Sequence, residues 1–236
     1  MADYTLYYWP IPFRGEFVRA VLALAGQSYD EKSPDEVTAL KLLSPLDQPV
    51  PFMAPPVLID HRDGVAISQM PAVLRYVAGR HGLMPEDMTR AALTDKIVAD
   101  ANDVLDELTL FGGRSMWTLG EWESFSEDRL PRWLAIFEAV AEARGVTADD
   151  GFLTGQGAQL ADIVTAVLWG GMTDKLPPLR PMLDTQAPRI AGLTARVLAL
   201  PPVAGLRAQQ DARWGDLYCG GQIEASLRDM LNRHGV

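Results

Sequence analysis

The sequence predicts an α+β unit with the element order βαβαββα, followed by an all-helical unit. Three observations carry that expectation. The first 70 or so residues alternate short β-rich runs with helical spacings and glycine or proline stops. Strand signals fade after Pro85, and from there long helical patterns dominate. The chain has 236 residues, enough for two small units or one large one, so the division rests on pattern.

Residues 4–9 are aromatic and β-favouring and end at Pro10, which predicts a buried first strand. Residues 16–25 place Phe17, Val18, Val21, Leu22 and Leu24 at helical spacing, closed by Gly26. A short second strand is expected within residues 27–32 and a weak helix over 35–43, ending in the proline-rich stretch 44–56. Residues 57–60 and 65–68 are β-rich and flank His61-Arg62-Asp63-Gly64, a turn composition that predicts a hairpin. A third helix follows, with Ala72, Val73, Tyr76 and Val77 on one face and Gly82 as its stop. Further helices are expected at 90–110, 127–143, 160–170, 187–200 and 203–211. The expected organisation is an α+β unit over 1–83, a linker over 84–89, and a helical unit over 90–236.

Composition narrows the function. Hydrophobic residues make up 48% and charged residues 22%, which matches folded soluble proteins and not disordered chains. The formal net charge of -10 repels nucleic acid and anionic membranes, so neither is an expected partner. The one cysteine, Cys219, cannot form an intramolecular disulfide, and no secretion signal opens the chain; the cytoplasm is the expected compartment. The three histidines lack metal-ligand spacing and the carboxylates show no paired motif, so no metal is assigned.

Several motifs fall in one order: Tyr8 at the end of the first strand, Arg14-Gly15 opening the first helix, PVLID after a double proline, and ISQMPAVLRYVAGRHGL. In this the chain resembles the cytosolic glutathione transferases. The resemblance implies a thioredoxin-like N-terminal domain, an all-α helical-bundle C-terminal domain, glutathione as co-substrate, a small hydrophobic electrophile as second substrate, and a homodimer. The C-terminal half matches more loosely. Where the family has a Ser or Thr, two residues and an Asp before a buried helix, this chain has Gln159-Leu160-Ala161-Asp162, and glutamine is a poor N-cap.

The resemblance also implies site roles. Glutathione reacts as a thiolate, yet a free cysteine thiol has a pKa of about 8.5; lowering it by about two units takes about 2.7 kcal/mol of selective stabilisation. The family's tyrosine-type members supply this through a phenol, which places the role on Tyr8; a packed aromatic with its hydroxyl held by backbone is the alternative. No serine or cysteine lies between Trp9 and Gly15 to serve instead. The γ-glutamyl end would sit at the start of the third helix, on the Gln69 side chain and Met70 backbone, although Met70 stands where a hydroxyl residue normally follows. Taken alone Gln69 reads as an ordinary helix cap; with the flanking match the ligand role is preferred. A cis-proline is implied before the third strand. It is Pro55 or Pro56, with Ala54 or Pro55 respectively meeting the cysteinyl part, and in the second case no N–H is offered.

Arg14 could face the ligand's carboxylates or seal the first helix. Lys41 could reach the glycine carboxylate or stay solvated. Asp103 resembles an acid that reaches across a dimer in some members, or is an exposed helical aspartate. The electrophile pocket would draw on Trp9, Phe13, Leu110, Phe111, Met116 and Trp117, each equally credible as core. A binding or interaction module that has kept the fold and lost turnover is the rival reading.

Overall fold

The computed structural model describes residues 2–155 and 157–235. Four strands form one sheet in the order β2-β1-β3-β4. Strand β1 (Tyr4–Tyr7) runs parallel to β2 (Tyr29–Glu31), with Leu6 opposite Glu31, and antiparallel to β3 (Val57–Asp60), with Leu6 opposite Leu58. Strand β4 (Val65–Ser68) closes the hairpin with β3. Helices α1 (Arg14–Leu24), α2 (Pro34–Leu42) and α3 (Met70–Arg80) complete the βαβαββα order of a thioredoxin-like domain.

The first strand is shorter than its aromatic run: pairing stops at Tyr7, and Tyr8 and Trp9 lead into the loop before α1. Side-chain alternation nevertheless continues. Tyr4, Leu6 and Tyr8 are buried while Tyr7 and Trp9 are only partly so, as a two-residue period requires. Helix α2 starts at a capping box, in which Ser33 and Glu36 bond each other's backbone N–H.

The remainder is helical. It comprises α4 (Met88–Leu108), a single turn α5 (Leu110–Gly113), α6 (Leu119–Ser124), α7 (Leu130–Ala143), α8 (Leu160–Lys175), α9 (Arg180–Gln186), α10 (Pro188–Leu198), α11 (Pro201–Trp214) and α12 (Gly221–His234). The helix expected from residue 127 is preceded by a π-helical turn, Phe125–Arg129, that joins α6 to α7. Helices α6, α9 and α12 extend the pattern read from sequence. Among the described residues no single helix is long and apolar enough to cross a membrane.

The hydrophobic core is continuous between the sheet half and the helical half. Helix α1 packs against α3 on one side and against α8 and α11 on the other. Its residues from Gly15 through Leu22 are all buried, including the charged Glu16 and Arg19. Helix α8 is almost wholly buried, and in its first turn the Asp162 carboxylate accepts the Gln159 N–H at 3.0 Å and the Leu153 N–H at 2.7 Å. Gln159 Oε1 accepts the Thr154 hydroxyl at 3.0 Å. Thus the aspartate ties both the helix start and the loop before it, and burial lifts its carboxyl to about 6.

Candidate active site

A cleft of about 520 Å³ opens between the end of β1 and the helical half. The sheet side contributes Tyr8, Trp9, Phe13 and Arg14 from the loop and first turn of α1, Ala54, Pro55 and Pro56 before β3, and Gln69 and Met70 at the start of α3. Lys41 of α2 reaches the same rim, with Nζ 5.7 Å from the centre of the Trp9 ring. The opposite wall is Asn102 and Asp106 of α4 and Thr109 at its C-terminal cap, then Phe111, Gly112 and Arg114, with Cys219 and Ile223 from the C-terminal segment.

Tyr8 is only 3% exposed. Its ring lies directly over Gly15, so closely that a Cβ there would fall 2.2 Å from the ring carbon Cδ1. The Trp9 ring meets it edge-on at 5.8 Å, and the Arg19 guanidinium carbon lies 5.8 Å from the ring centre. Burial pushes the phenol up to about 12, against the opposing pull of the Arg14 and Arg19 charges and the Arg14 and Gly15 backbone N–H groups. The hydroxyl therefore keeps its proton at neutral pH and is a donor.

Arg14 spans the two halves of the cleft. Its guanidinium is paired with Asp106 and donates to Asn102 Oδ1 at 3.4 Å, while its Cζ lies 5.1 Å from the Phe13 ring centre. The peptide bond between Pro55 and Pro56 is cis, so Pro56 is the cis residue and the preceding Pro55 presents a carbonyl without an N–H. Gln69, exposed at the head of α3, has φ 72° and ψ 121°. That conformation is rare for a residue with a Cβ and costs on the order of 1–3 kcal/mol. Met70 beneath it is buried, and Pro71 occupies the first turn, where its missing N–H is not needed.

The structure separates residues expected together. Asp103 is exposed on α4 and does not line the cleft; burial and then the charges of Asp100, Asp106 and Glu107 raise its carboxyl. Leu110 and Trp117 line a neighbouring depression of about 320 Å³, and Phe111 borders both spaces. Trp117 is buried in an aromatic cluster with Trp122 and Phe125, at ring-centre distances of 5.4 and 5.3 Å. Met116 is exposed and lines neither space. Phe111, 65% exposed, sits in a left-handed run in which Leu110, Phe111, Gly112 and Gly113 all have positive φ. The two glycines adopt this freely, whereas Leu110 and Phe111 each cost about 1–2 kcal/mol.

Ile11, Met53, Asn102, Asp106, Thr109, Gly112, Arg114, Cys219 and Ile223 also line the cleft and were not singled out from the sequence. For three of them a signal exists: Asn102, Asp106 and Thr109 recur at i, i+4 and i+7, a polar stripe on a helix whose other faces are apolar or solvated. Cys219 lies within the wall, and burial pushes its thiol up to about 12, so it is a neutral thiol there. Among the described residues no group of three His, Cys, Asp or Glu side chains is placed to hold a metal ion.

A family model described as "Glutathione S-transferase, C-terminal domain" matches residues 93–230. Glutathione S-transferase alpha I of Oryctolagus cuniculus is 27% identical over 203 residues, which are 84% of this chain and 84% of that protein. The hematopoietic prostaglandin D synthase of Gallus gallus is 26% identical over 204 residues, 86% of this chain and 94% of its own. Among solved structures, the Pi-class glutathione S-transferase of Onchocerca volvulus superposes with a TM-score of 0.74 at 21% identity, covering 93% of this chain and 98% of that one. That last likeness is one of fold.

Proposed function

Because the chain belongs to the glutathione S-transferase family, we propose that it binds glutathione in the Tyr8 cleft and conjugates it to a small hydrophobic electrophile, with Tyr8 as the donor to the thiol. The observation that carries this reading is the buried Tyr8 phenol in the same cleft as the α3 N-terminus and the Ala54-Pro55-Pro56 segment.

In this reading residues 1–83 hold glutathione, 84–89 connect, and 90–236 supply the electrophile's wall. The γ-glutamyl carboxylate meets the positive end of α3, where Gln69 and Met70 line the cleft, with the Met70 N–H as its backbone donor in this reading. The strained Gln69 backbone, at the head of α3 in the cleft wall, supports a functional position. The cysteinyl backbone lies along residues 54–56 and is held through the Pro55 carbonyl alone, one hydrogen bond fewer than an ordinary residue would give. Lys41 and Arg14 set positive charge near the ligand's carboxylates.

The thiol then sits at Tyr8. Its hydrogen bond favours the thiolate, and the Arg14 charge acts in the same direction. The thiol proton is released to water, and the thiolate lone pair then forms a C–S bond at the electrophilic carbon. Either a leaving group departs with its electron pair, or the electrons move to an adjacent atom that takes a proton from water. Trp9, Phe13, Phe111 and Ile223 provide the apolar surface for the electrophile. A second copy of the chain and a cytosolic setting belong to the same reading, with Asp103, exposed on α4, as the residue offered to the partner.

The binding-module reading is favoured by two residues, Met70 in the place of a hydroxyl and Pro55 without an N–H. The two readings are separated by retention on immobilised glutathione, followed by an assay with a chlorinated nitrobenzene using wild type and Tyr8→Phe. The expected result is retention of both proteins and conjugation by wild type that drops about 10²-fold in Tyr8→Phe. Retention without conjugation supports the module; conjugation unchanged by Tyr8→Phe removes Tyr8 from its role.

A further inference from the structure

Arg19, on α1, is wholly buried, and its guanidinium is spent on two carboxylates and two backbone carbonyls. Nε donates to Glu31 Oε1 at 2.8 Å, and Nη1 donates to Glu16 Oε2 at 3.1 Å and to the Ile11 carbonyl at 3.0 Å. Nη2 donates to the Trp9 carbonyl at 3.0 Å and also pairs with Glu31. Trp9 and Ile11 are the residues that carry the chain away from Tyr8. Their carbonyls already accept the loop's own bonds, from the Ile11 N–H at 2.8 Å and the Phe13 N–H at 3.0 Å. Both turns of the loop are therefore closed on the same two oxygens that Arg19 holds.

Stability alone is a weak reason for such a group, because a buried ion cluster is commonly no more stabilising than apolar residues of the same volume. Its geometry points elsewhere. Glu31 sits on β2 directly opposite Leu6 of β1, so the guanidinium links the sheet, the first helix and the loop at the one place where Tyr8 leaves the strand. We propose that Arg19 is a positioning residue, clamping the segment after Tyr8 so that the phenol hydroxyl stays at the glutathione sulfur. This rests on the reading of Tyr8 as the thiol's donor. Lysine cannot reproduce the clamp, since one ammonium has three donors and no planar fork to serve four acceptors on three elements.

The test compares wild type, Tyr8→Phe, Arg19→Lys and the double variant, each checked for folding by circular dichroism. The rate of conjugation of a chlorinated nitrobenzene is followed against pH and glutathione concentration. Arg19→Lys is expected to lower kcat about tenfold and to move the pH of half-maximal rate upward, with the KM for glutathione changed less than about twofold. Because Arg19 acts through Tyr8, the double variant should fall no lower than Tyr8→Phe alone. A wild-type pH profile in Arg19→Lys overturns the proposal, as does a double variant in which the two losses multiply. A Tyr8→Phe profile identical to wild type sinks the thiol reading itself, a result visible without any change at Arg19. Should Arg19→Lys fail to fold, Glu31→Gln decides the matter: it keeps the size and an acceptor but removes the anchoring charge, so it should shift the profile in the same direction, and an unshifted profile overturns the clamp.

Discussion

Replacing Gly15 with alanine sets two effects of opposite sign against each other. Gly15 is the second residue of α1, and alanine in a helix is favoured over glycine by about 0.5–1 kcal/mol. The new methyl, however, would lie 2.2, 2.6 and 2.9 Å from three carbons of the Tyr8 ring. Carbon atoms in ordinary contact are about 3.5–4.0 Å apart, so ring and methyl must separate by more than about 1 Å. Tyr8 is 3% exposed and is packed against Trp9 and the Arg19 guanidinium as well as Gly15, so a shift of the ring disturbs those contacts too. Overpacking of this kind costs about 1–3 kcal/mol, which outweighs the helix gain and lowers Tm by roughly 3–6 °C. A misplacement of about 1 Å at the thiol's donor costs about 10²-fold in kcat/KM. Gly79, in α3 with nothing within 4 Å of an added Cβ, is the control: Gly79→Ala should raise stability by about 0.5–1 kcal/mol and leave the rate alone. Thermal melts and the conjugation assay on both variants read this out. If Gly15→Ala matches Gly79→Ala in both stability and rate, the ring is not held as described.

Two further outcomes concern the helical half. The Asp162 carboxyl, raised from 3.8 to about 6 by burial, holds a proton in the native state that the unfolded chain has already released. Its contribution to stability is therefore full below about pH 4 and is lost as pH rises to about 6, a change of about 3 kcal/mol; Asp162→Asn should flatten that part of a urea-denaturation series, and an unaltered slope counts against it. At Gly192 of α10 a Cβ would fall 1.8 Å from the Ala148 carbonyl oxygen. That loop is tied to Arg196 through the Thr147, Ala148 and Gly151 carbonyls and cannot back away, so Gly192→Ala should lose about 2–4 kcal/mol with kcat intact below its melt. A melting temperature equal to wild type would contradict this.

Period and punctuation made the βαβαββα order legible: strand alternation, glycine stops and the His61-Arg62-Asp63-Gly64 turn are local signals, and β3 and β4 fall at the expected residues. The sheet side of the cleft was legible for a related reason, since Tyr8, Arg14, the double proline and Gln69 stand at element ends that the same signals mark. The helical wall was harder. Family likeness points to Asp103 as an acid offered across a dimer, which says nothing of this chain's own wall; that wall holds Asp106, which lies within about 40° of Asn102 on the helix, whereas Asp103 is turned about 100° from it. Trp117 has the broad surface of a pocket aromatic and is equally credible as core from sequence, because packing against Trp122 and Phe125 is a tertiary outcome with no local mark. Cys219 and Ile223 reach the cleft only because the C-terminal segment folds back over more than 200 residues of chain; the spacing of Ile223, Leu227 and Leu231 marks α12 as a helix but does not say what that helix covers.

The wholly buried first helix has a consequence for how the chain is made. With one side on α3 and the other on α8 and α11, α1 lacks a wall until residues 160–214 exist. On the ribosome, the emerging amino-terminal half carries Phe17 and Val21 on a helix with one side uncovered well before that wall is synthesised. A truncated gene product ending near residue 83 should accordingly be a sticky species for chaperones to hold, not a small stable domain.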